Sequence, residues 1–460
     1  MHELLYRYRA VALLLILSFA FFTRMYRLHL PEKYMFDEVY HAVTAKLIAE
    51  NDPRAYEWWN PPPEENTAVD WLHPPLAKYT QALSMLAFGE NSFGWRFSSV
   101  VFGVLVILMV YHLAYALFDN HSIALTSALI ASLDGLLLVQ SRIAMNDIHV
   151  TFFILLALHS YLAYRKSHQT SDLILTAIIA GLAMASKWSG LFVLACILLF
   201  EAVHFLSGFF YLLAAKRVRI ESILSKVATF AATRIVVLIL IPLAVYVAGY
   251  THMFLQGKGW AHFKELHNQI WWYQTTLKAT HPYQSRPLEW FLDLKPVWVH
   301  VEYFPSIHMR ADIYSFGNPI IFWVGAFFVI VSLASCLLSY RKFIAHVAKK
   351  APITEKIASF LGDISNNSLI FLLTAYFMVW LPWQLSPRIM FFYHYTPAVP
   401  LMSIIIAYWL ERFWSQKKII PLLVIGSMVL VFIVWYPHWT GIPVSDSFAN
   451  SVYFALPSWK

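Results

Sequence analysis

An acidic pair, Asp37 and Glu38, follows the first apolar run of the chain, where a carboxylate is costly to desolvate and unnecessary for solubility. One reading is a helix start, with Asp37 as the N-cap and Glu38 in the first turn. The chemical reading is general-base catalysis, because an alcohol is a poor nucleophile until its proton is being removed and a fixed carboxylate contributes roughly 10²- to 10⁴-fold. Asp37, nearer the apolar run, is the better candidate base. A second acid, Asp147, stands in the Met-Asn-Asp that opens a later apolar run, and reads equally as an active-site acid or a helix N-terminal charge. Lys78, Arg96, Arg142, Lys187 and Arg388 all fall near the ends of apolar runs. Such cations can stabilise a phosphate leaving group, or simply snorkel to lipid headgroups. Lys187 is the sharpest of them, in the very short SKWSG turn with Trp188 beside it as an interface anchor. His73, stiffened by Pro74 and Pro75, is placed to orient a substrate by a hydrogen bond or to make a plain turn. His394, in Tyr-His-Tyr, reads first as an interface histidine and second as a substrate contact.

The elements that must position these residues are helices in lipid. Of 460 residues, 59% are hydrophobic and 13% charged, and runs of about twenty apolar residues recur throughout, each enough to cross roughly 30 Å of hydrocarbon. Backbone groups in lipid must be satisfied internally, so the expected fold is an all-α polytopic membrane protein. About eleven spans are predicted, near residues 10–30, 96–117, 122–140, 147–164, 172–186, 188–210, 227–250, 318–340, 368–384, 395–411 and 419–436. The net charge of +8 sits in short blocks between the runs, at Arg7 and Arg9, Arg165 and Lys166, Lys216 to Lys226, Arg341 to Lys356, and Arg412 to Lys418. Eleven spans put every block on one side, cytoplasmic by the positive-inside rule, which accounts for the charge without nucleic acid.

The opposite face then carries two long loops, 31–95 and 251–317, and a tail, 437–460, with the whole chain forming one transmembrane domain. The loops are rich in Trp, Tyr, His and Pro, as expected of ordered segments on a membrane surface; the EVYHAVTAKLIAEN stretch predicts a helix lying along the interface. The Ile-Trp-Trp-Tyr at 270–273 reads mainly as an aromatic belt, with sugar stacking as the lesser reading. Cys196 and Cys336 both fall inside spans and are packing residues. His262, His267, His281 and His300 share one loop without metal-ligand spacing, so no metal site is expected.

The order of segments adds to this reading. YMFDEVYHA is followed by WLHPPLAKY, GWRFSSVVFG, SRIAMNDIHVTFF, SKWSGLF, HNQIWWYQTTLKATHPYQSRPLEW and SPRIMFFYHYTPAVP, with a WYPHWTGIP tail ending in LPSW. Over nearly the whole chain this resembles the protein O-mannosyltransferase family, of glycosyltransferase family 39. The resemblance implies a GT-C fold and inverting transfer of mannose from polyprenyl-phosphate mannose to Ser and Thr hydroxyls of exported proteins. It also implies a cell-membrane enzyme with its active site on the extracytoplasmic face, and the secretion translocon as a partner. Asp37 and Glu38 are then the catalytic pair, and the lipid-linked sugar is the donor, with no metal or other cofactor. The second loop is too short for the MIR domain that eukaryotic members carry there, which implies a prokaryotic type. Two other readings have sequence features that weigh against them. A GT-C transferase acting on a lipid or glycan, such as the aminoarabinose transferases, would share the acidic pair but fits the HPPLAK and YHYTPAVP segments less well. A secondary transporter would be expected to place acids or broken helices in mid-span and to show duplicated halves, whereas here the ionisable residues concentrate at one face and no internal repeat is seen.

Overall fold

The computed structural model of the chain describes residues 2–61, 64–214, 220–347 and 352–460. Parts of the Lys216–Lys226 and Arg341–Lys356 basic stretches lie outside the described residues. Among those described, eight helices are long and apolar enough to cross a membrane: Arg7–Met25, Ser92–Phe118, Asp147–Ser167, Trp188–Ala214, Ser225–Ala248, Pro319–Tyr340, Ser368–Leu385 and Ile419–Thr440. Leu14, Leu15, Phe22, Leu337, Leu430 and Ile433 are exposed on these helices, as lipid-facing residues are.

The other three expected spans are shorter helices, so the count of eleven is not reproduced by length. The 122–140 stretch breaks into His121–Ser132 and Gly135–Gln140 because Asp134 caps the second piece, accepting from Leu137 N at 2.9 Å, and also accepts from Asn318 N at 3.1 Å. The others are Thr170–Ser186, and Ala398–Trp414, which starts only after a 3₁₀ turn at Phe392–Tyr395.

The first long loop is compact. Helix Glu38–Ala49 packs on Leu76–Phe88, which packs in turn on Ser92–Phe118. The expected loop helix is present, but His41, Val43, Thr44, Leu47 and Ile48 are all buried, so it is enclosed by protein rather than laid on an interface. Leu76–Phe88 ends at Gly89, whose φ of +90° only glycine adopts without strain, and Asn91 caps the next helix through Phe93 N and Gly94 N. The second long loop holds helix Trp260–Thr276 and two antiparallel strands, β1 (Val297–Phe304) and β2 (Met309–Ser315). The tail adds β3 (Val444–Ser445) beside β2. This small sheet is an addition to the all-α expectation; the alternation in Val-Trp-Val-His-Val-Glu-Tyr carries a period of two that helical hydropathy masks.

Candidate active site

A cavity of about 850 Å³ opens between the first loop, the Lys187–Gly190 turn, helix Trp260–Thr276 and the Pro382–His394 segment. Each wall is fixed by local chemistry. Thr170–Ser186 ends where Lys187 turns extended (φ −161°, ψ 143°); Trp188–Gly190 forms a 3₁₀ turn, closed by Gly190 N donating to Lys187 O at 2.8 Å. Gly190 is packed so tightly that a Cβ there would lie 2.3 Å from the carbonyl carbon of Ala183. The turn is thereby as short as the sequence implied.

Asp37 lies on the cavity wall, at the N-cap position of Glu38–Ala49 but without a side-chain capping bond. Its Oδ2 has a long contact, 3.4 Å, with the Tyr393 hydroxyl. Burial pushes its carboxyl up to about 6, with nearby Asp70 and Asp147 raising it and His41 and Lys187 opposing. Glu38 turns the other way, fully buried, with its two oxygens each 2.8 Å from Arg96 and Oε1 also accepting from Ala144 N at 3.0 Å. The acidic pair thus divides into one carboxylate facing the cavity and one locked in protein.

His73, Asp147, Lys187, Trp188, Arg388 and His394 also line the cavity. Lys187 Nζ is 2.7 Å from Asp147 Oδ1 and lies 5.5 Å from the centre of the Tyr393 ring. Arg388 donates to Gln274 Oε1 at 2.7 Å and stands over the Tyr273 ring at 5.6 Å. Trp188 Nε1 donates to the Tyr246 hydroxyl at 2.8 Å, and that hydroxyl is 2.7 Å from His267 Nε2, which ties the turn to helix Trp260–Thr276. His394 shares Nδ1 with the Phe391 carbonyl at 3.0 Å; burial, with the charges of Lys187 and Arg388, holds its pKa well below the ordinary imidazole value.

Three sequence candidates stand elsewhere. Arg96 is fully enclosed, with its guanidinium donors taken by Glu38 and by the carbonyls of Leu28, Pro31 and Lys33. Arg142 is directed to the carbonyls of Arg24 and Tyr26. Lys78 is buried against Asp70 at 2.7 Å and the His73 carbonyl at 3.1 Å. None of the three lines the cavity, because each is drawn into a local set of acceptors that its position near a span end does not reveal.

Sequence reasoning also missed residues that the fold brings here. Asp70, buried on the cavity wall, accepts from His73 at 3.0 Å, from Leu72 N at 3.1 Å and from Lys78, and lies 2.8 Å from His41 Nδ1. Burial alone would raise this carboxyl; His73, Lys78 and His41 more than offset that and hold it well below the usual carboxylate range. Burial in turn pushes His73 down to about 4. The ligand atoms of His41, Asp70 and His73 lie within 4.8 Å of one another, the one metal-ligating trio among the described residues. The Asp-x-x-His spacing of Asp70 and His73 was the available signal. As a cation site the trio is compromised, because the Lys78 ammonium already neutralises Asp70 and would repel a divalent ion. Of the 270–273 stretch, Ile270 is buried, Trp271 and Trp272 are exposed, and Trp271 and Tyr273 reach the cavity.

Family models match almost end to end: that of the dolichyl-phosphate-mannose-protein mannosyltransferases over residues 14–256, and that of the C-terminal four-transmembrane region of protein O-mannosyltransferases over 259–459. The chain belongs to the protein mannosyltransferase family. It is 26% identical over 462 residues to a polyprenol-phosphate-mannose–protein mannosyltransferase of Corynebacterium glutamicum, covering 85% of this chain and 81% of the relative. To the protein of the same name in Mycobacterium tuberculosis it is 24% identical, with the same coverage. Among solved structures, the protein O-mannosyltransferase complex of S. cerevisiae bound to the sugar donor has the same fold, with a TM-score of 0.72 at 14% identity over 96% of this chain and 91% of that one. An archaeal oligosaccharyltransferase from Archaeoglobus fulgidus is more distant, at a TM-score of 0.54 and 15% identity, covering 98% of this chain and 58% of that one. The family and the architecture are those of GT-C glycosyltransferases.

Proposed function

We propose that the chain transfers mannose, with inversion, from polyprenyl-phosphate mannose to Ser and Thr hydroxyls of exported proteins delivered by the secretion translocon. The observation that carries this reading is the presence on one cavity of a carboxylate with a raised pKa, Asp37, and two cations, Lys187 and Arg388. The acceptor oxygen attacks the anomeric carbon, the bond from that carbon to the phosphate oxygen breaks, and Asp37 takes the hydroxyl proton. Polyprenyl phosphate leaves with the bonding electron pair, and its charge is met by Lys187 and Arg388. His73, held by Asp70, orients substrate, and the buried His394 backs the cavity floor. Glu38 acts through structure, fixing with Arg96 the backbone on which Asp37 stands.

The chemistry runs without a divalent ion in this reading, which is supported by the ammonium groups of Lys78 and Lys187 beside Asp70 and Asp147, the charges that a cation would have to displace. The cavity faces the outside of the cell membrane, a reading supported by the basic blocks between spans, all of which fall on the other side. Loops 31–95 and 251–317 and the tail 437–460 are then extracytoplasmic parts of a single membrane domain. The test is to supply membranes with radiolabelled polyprenyl-phosphate mannose. Label is expected in protein, released by β-elimination; label found only in lipid would overturn the acceptor assignment.

A further inference from the structure

Asn146 is 1% exposed, lines the cavity, and neither its Oδ1 nor its Nδ2 has a hydrogen-bond partner. It occupies the N-cap position of Asp147–Ser167, where an asparagine ordinarily accepts from the helix's first N–H groups, yet it makes no capping bond. Its neighbour Asp147 accepts from Lys187 Nζ through Oδ1, while its Oδ2 is buried and unpartnered. Buried polar atoms are rarely left unpaired, and three at one point of a cavity wall require an explanation.

The backbone that carries them is held on both sides. Ala144 N donates to Glu38 Oε1 at 3.0 Å, Ser99 Oγ to Ile143 O at 2.8 Å, and Gln81 Nε2 to Met145 O at 3.4 Å. The side chains are therefore presented by a fixed segment rather than by a loop free to turn away.

The ligand that satisfies this set must both donate and accept. A phosphate diester only accepts, so it cannot donate to Asn146 Oδ1 or Asp147 Oδ2, and its charge falls to Lys187 and Arg388. A hydroxyl donates one hydrogen bond and accepts others, and two adjacent hydroxyls on a sugar ring match a carboxamide's N–H and C=O side by side.

Accepting mannosyl transfer as the reaction, we propose that the Asn146 carboxamide and the free Asp147 Oδ2 form the sugar-reading wall of the donor subsite, binding adjacent hydroxyls of the hexose. The wall is a specificity element: it holds the ring, while Asp37 and the cations act at the anomeric carbon and phosphate.

The test uses the full-length enzyme in membranes with polyprenyl-phosphate mannose and a set of donors lacking one ring hydroxyl at a time. Wild type should lose about 10- to 100-fold in kcat/KM with the donors that lack a hydroxyl the wall reads, the cost of leaving one buried polar group unpaired. Asn146→Ala should lose a similar factor with the natural donor and show no further loss with those same deoxy donors, the non-additivity expected of two groups that touch. Asn146→Asp, which keeps the shape and one acceptor oxygen but exchanges the N–H donor for a charged acceptor, should flatten the hydroxyl position read by that N–H and spare the other. Polyprenyl phosphate lacking sugar should inhibit wild type and Asn146→Ala equally, which a merely structural role would not allow. Equal penalties across all deoxy donors, a shift confined to the acceptor KM, or loss of inhibition by the bare carrier would each overturn the proposal. If wild type transfers no mannose but does transfer another hexose, the donor assignment fails and the wall stands.

Discussion

Arg96 and Glu38 form a doubly hydrogen-bonded pair, 2.8 Å on each arm and wholly enclosed, while Asp37 next in sequence faces the cavity. Two adjacent carboxylates therefore predict two different phenotypes. Asp37→Asn should lower kcat by roughly 10²-fold or more with donor binding nearly unchanged and thermal stability at neutral pH no lower than wild type. Glu38→Gln should act through the fold, because it leaves a buried guanidinium short of its counter-charge, a loss of about 3–5 kcal/mol when one partner of such a pair is removed. Single-turnover rates and melting temperatures of the two variants, measured side by side, separate these outcomes.

The pH dependence follows from the same division. A base must be ionised to accept a proton, so with Asp37 raised to about 6 by burial, kcat/KM should climb with pH through an apparent pKa near 6. His73, pushed down to about 4, and His394, held well below its ordinary value, stay neutral over this range and add no second limb. For stability the sign is opposite. A carboxyl raised in the fold stabilises most below its unfolded value and loses that contribution as pH rises through about 6. Asp37→Asn should abolish the kinetic limb and flatten this part of the stability profile.

Lys187 and Arg388 should report on the donor. Lys187→Ala should raise the apparent donor KM more than the acceptor KM, and it also leaves Asp147 unpaired on the cavity wall. Arg388→Lys should retain part of the function, since a point charge replaces a guanidinium now oriented by Gln274. Titration with polyprenyl phosphate as a competitive inhibitor reads both effects; an unchanged inhibition constant in both variants would remove the cations from the carrier's path.

Full transfer activity is expected after EDTA treatment, with no gain on adding Mg²⁺ or Mn²⁺. Loss on chelation and recovery on metal addition would point to the His41–Asp70–His73 trio, and Lys78→Met should then tighten metal binding there.

Single cysteines at the exposed positions Glu65 and Lys264 should react with an impermeant thiol reagent in intact cells or spheroplasts. The native Cys196, buried within a span, should not. Labelling only after lysis would reverse the orientation.

The membrane helices and the sharp Lys187 turn were legible because hydropathy and turn length are local properties of the chain. Which member of Asp37–Glu38 faces the cavity was not, since that depends on Arg96, 58 residues beyond Glu38, arriving behind the second carboxylate. The same non-locality sets Arg96, Arg142 and Lys78 apart from the cavity: a cation at a span end looks alike whether it meets a headgroup, a carbonyl or a buried aspartate. Asp70 and Asn146 had no hydropathy signature at all. Their significance lies in which polar atoms are paired and which are not, a property of the folded molecule alone.

The cavity is large for a hexose and one hydroxyl: about 850 Å³ is the liquid volume of roughly thirty waters at about 30 Å³ each. A carboxylate that takes a proton from serine takes one from water just as readily. With Asp37 as the proposed base, hydrolysis of the donor to free sugar should compete with transfer wherever an acceptor chain does not fill the space beside it. The yield of glycosylated protein per donor consumed depends on how completely that chain dries the cavity, so short acceptor peptides should waste more donor than long ones.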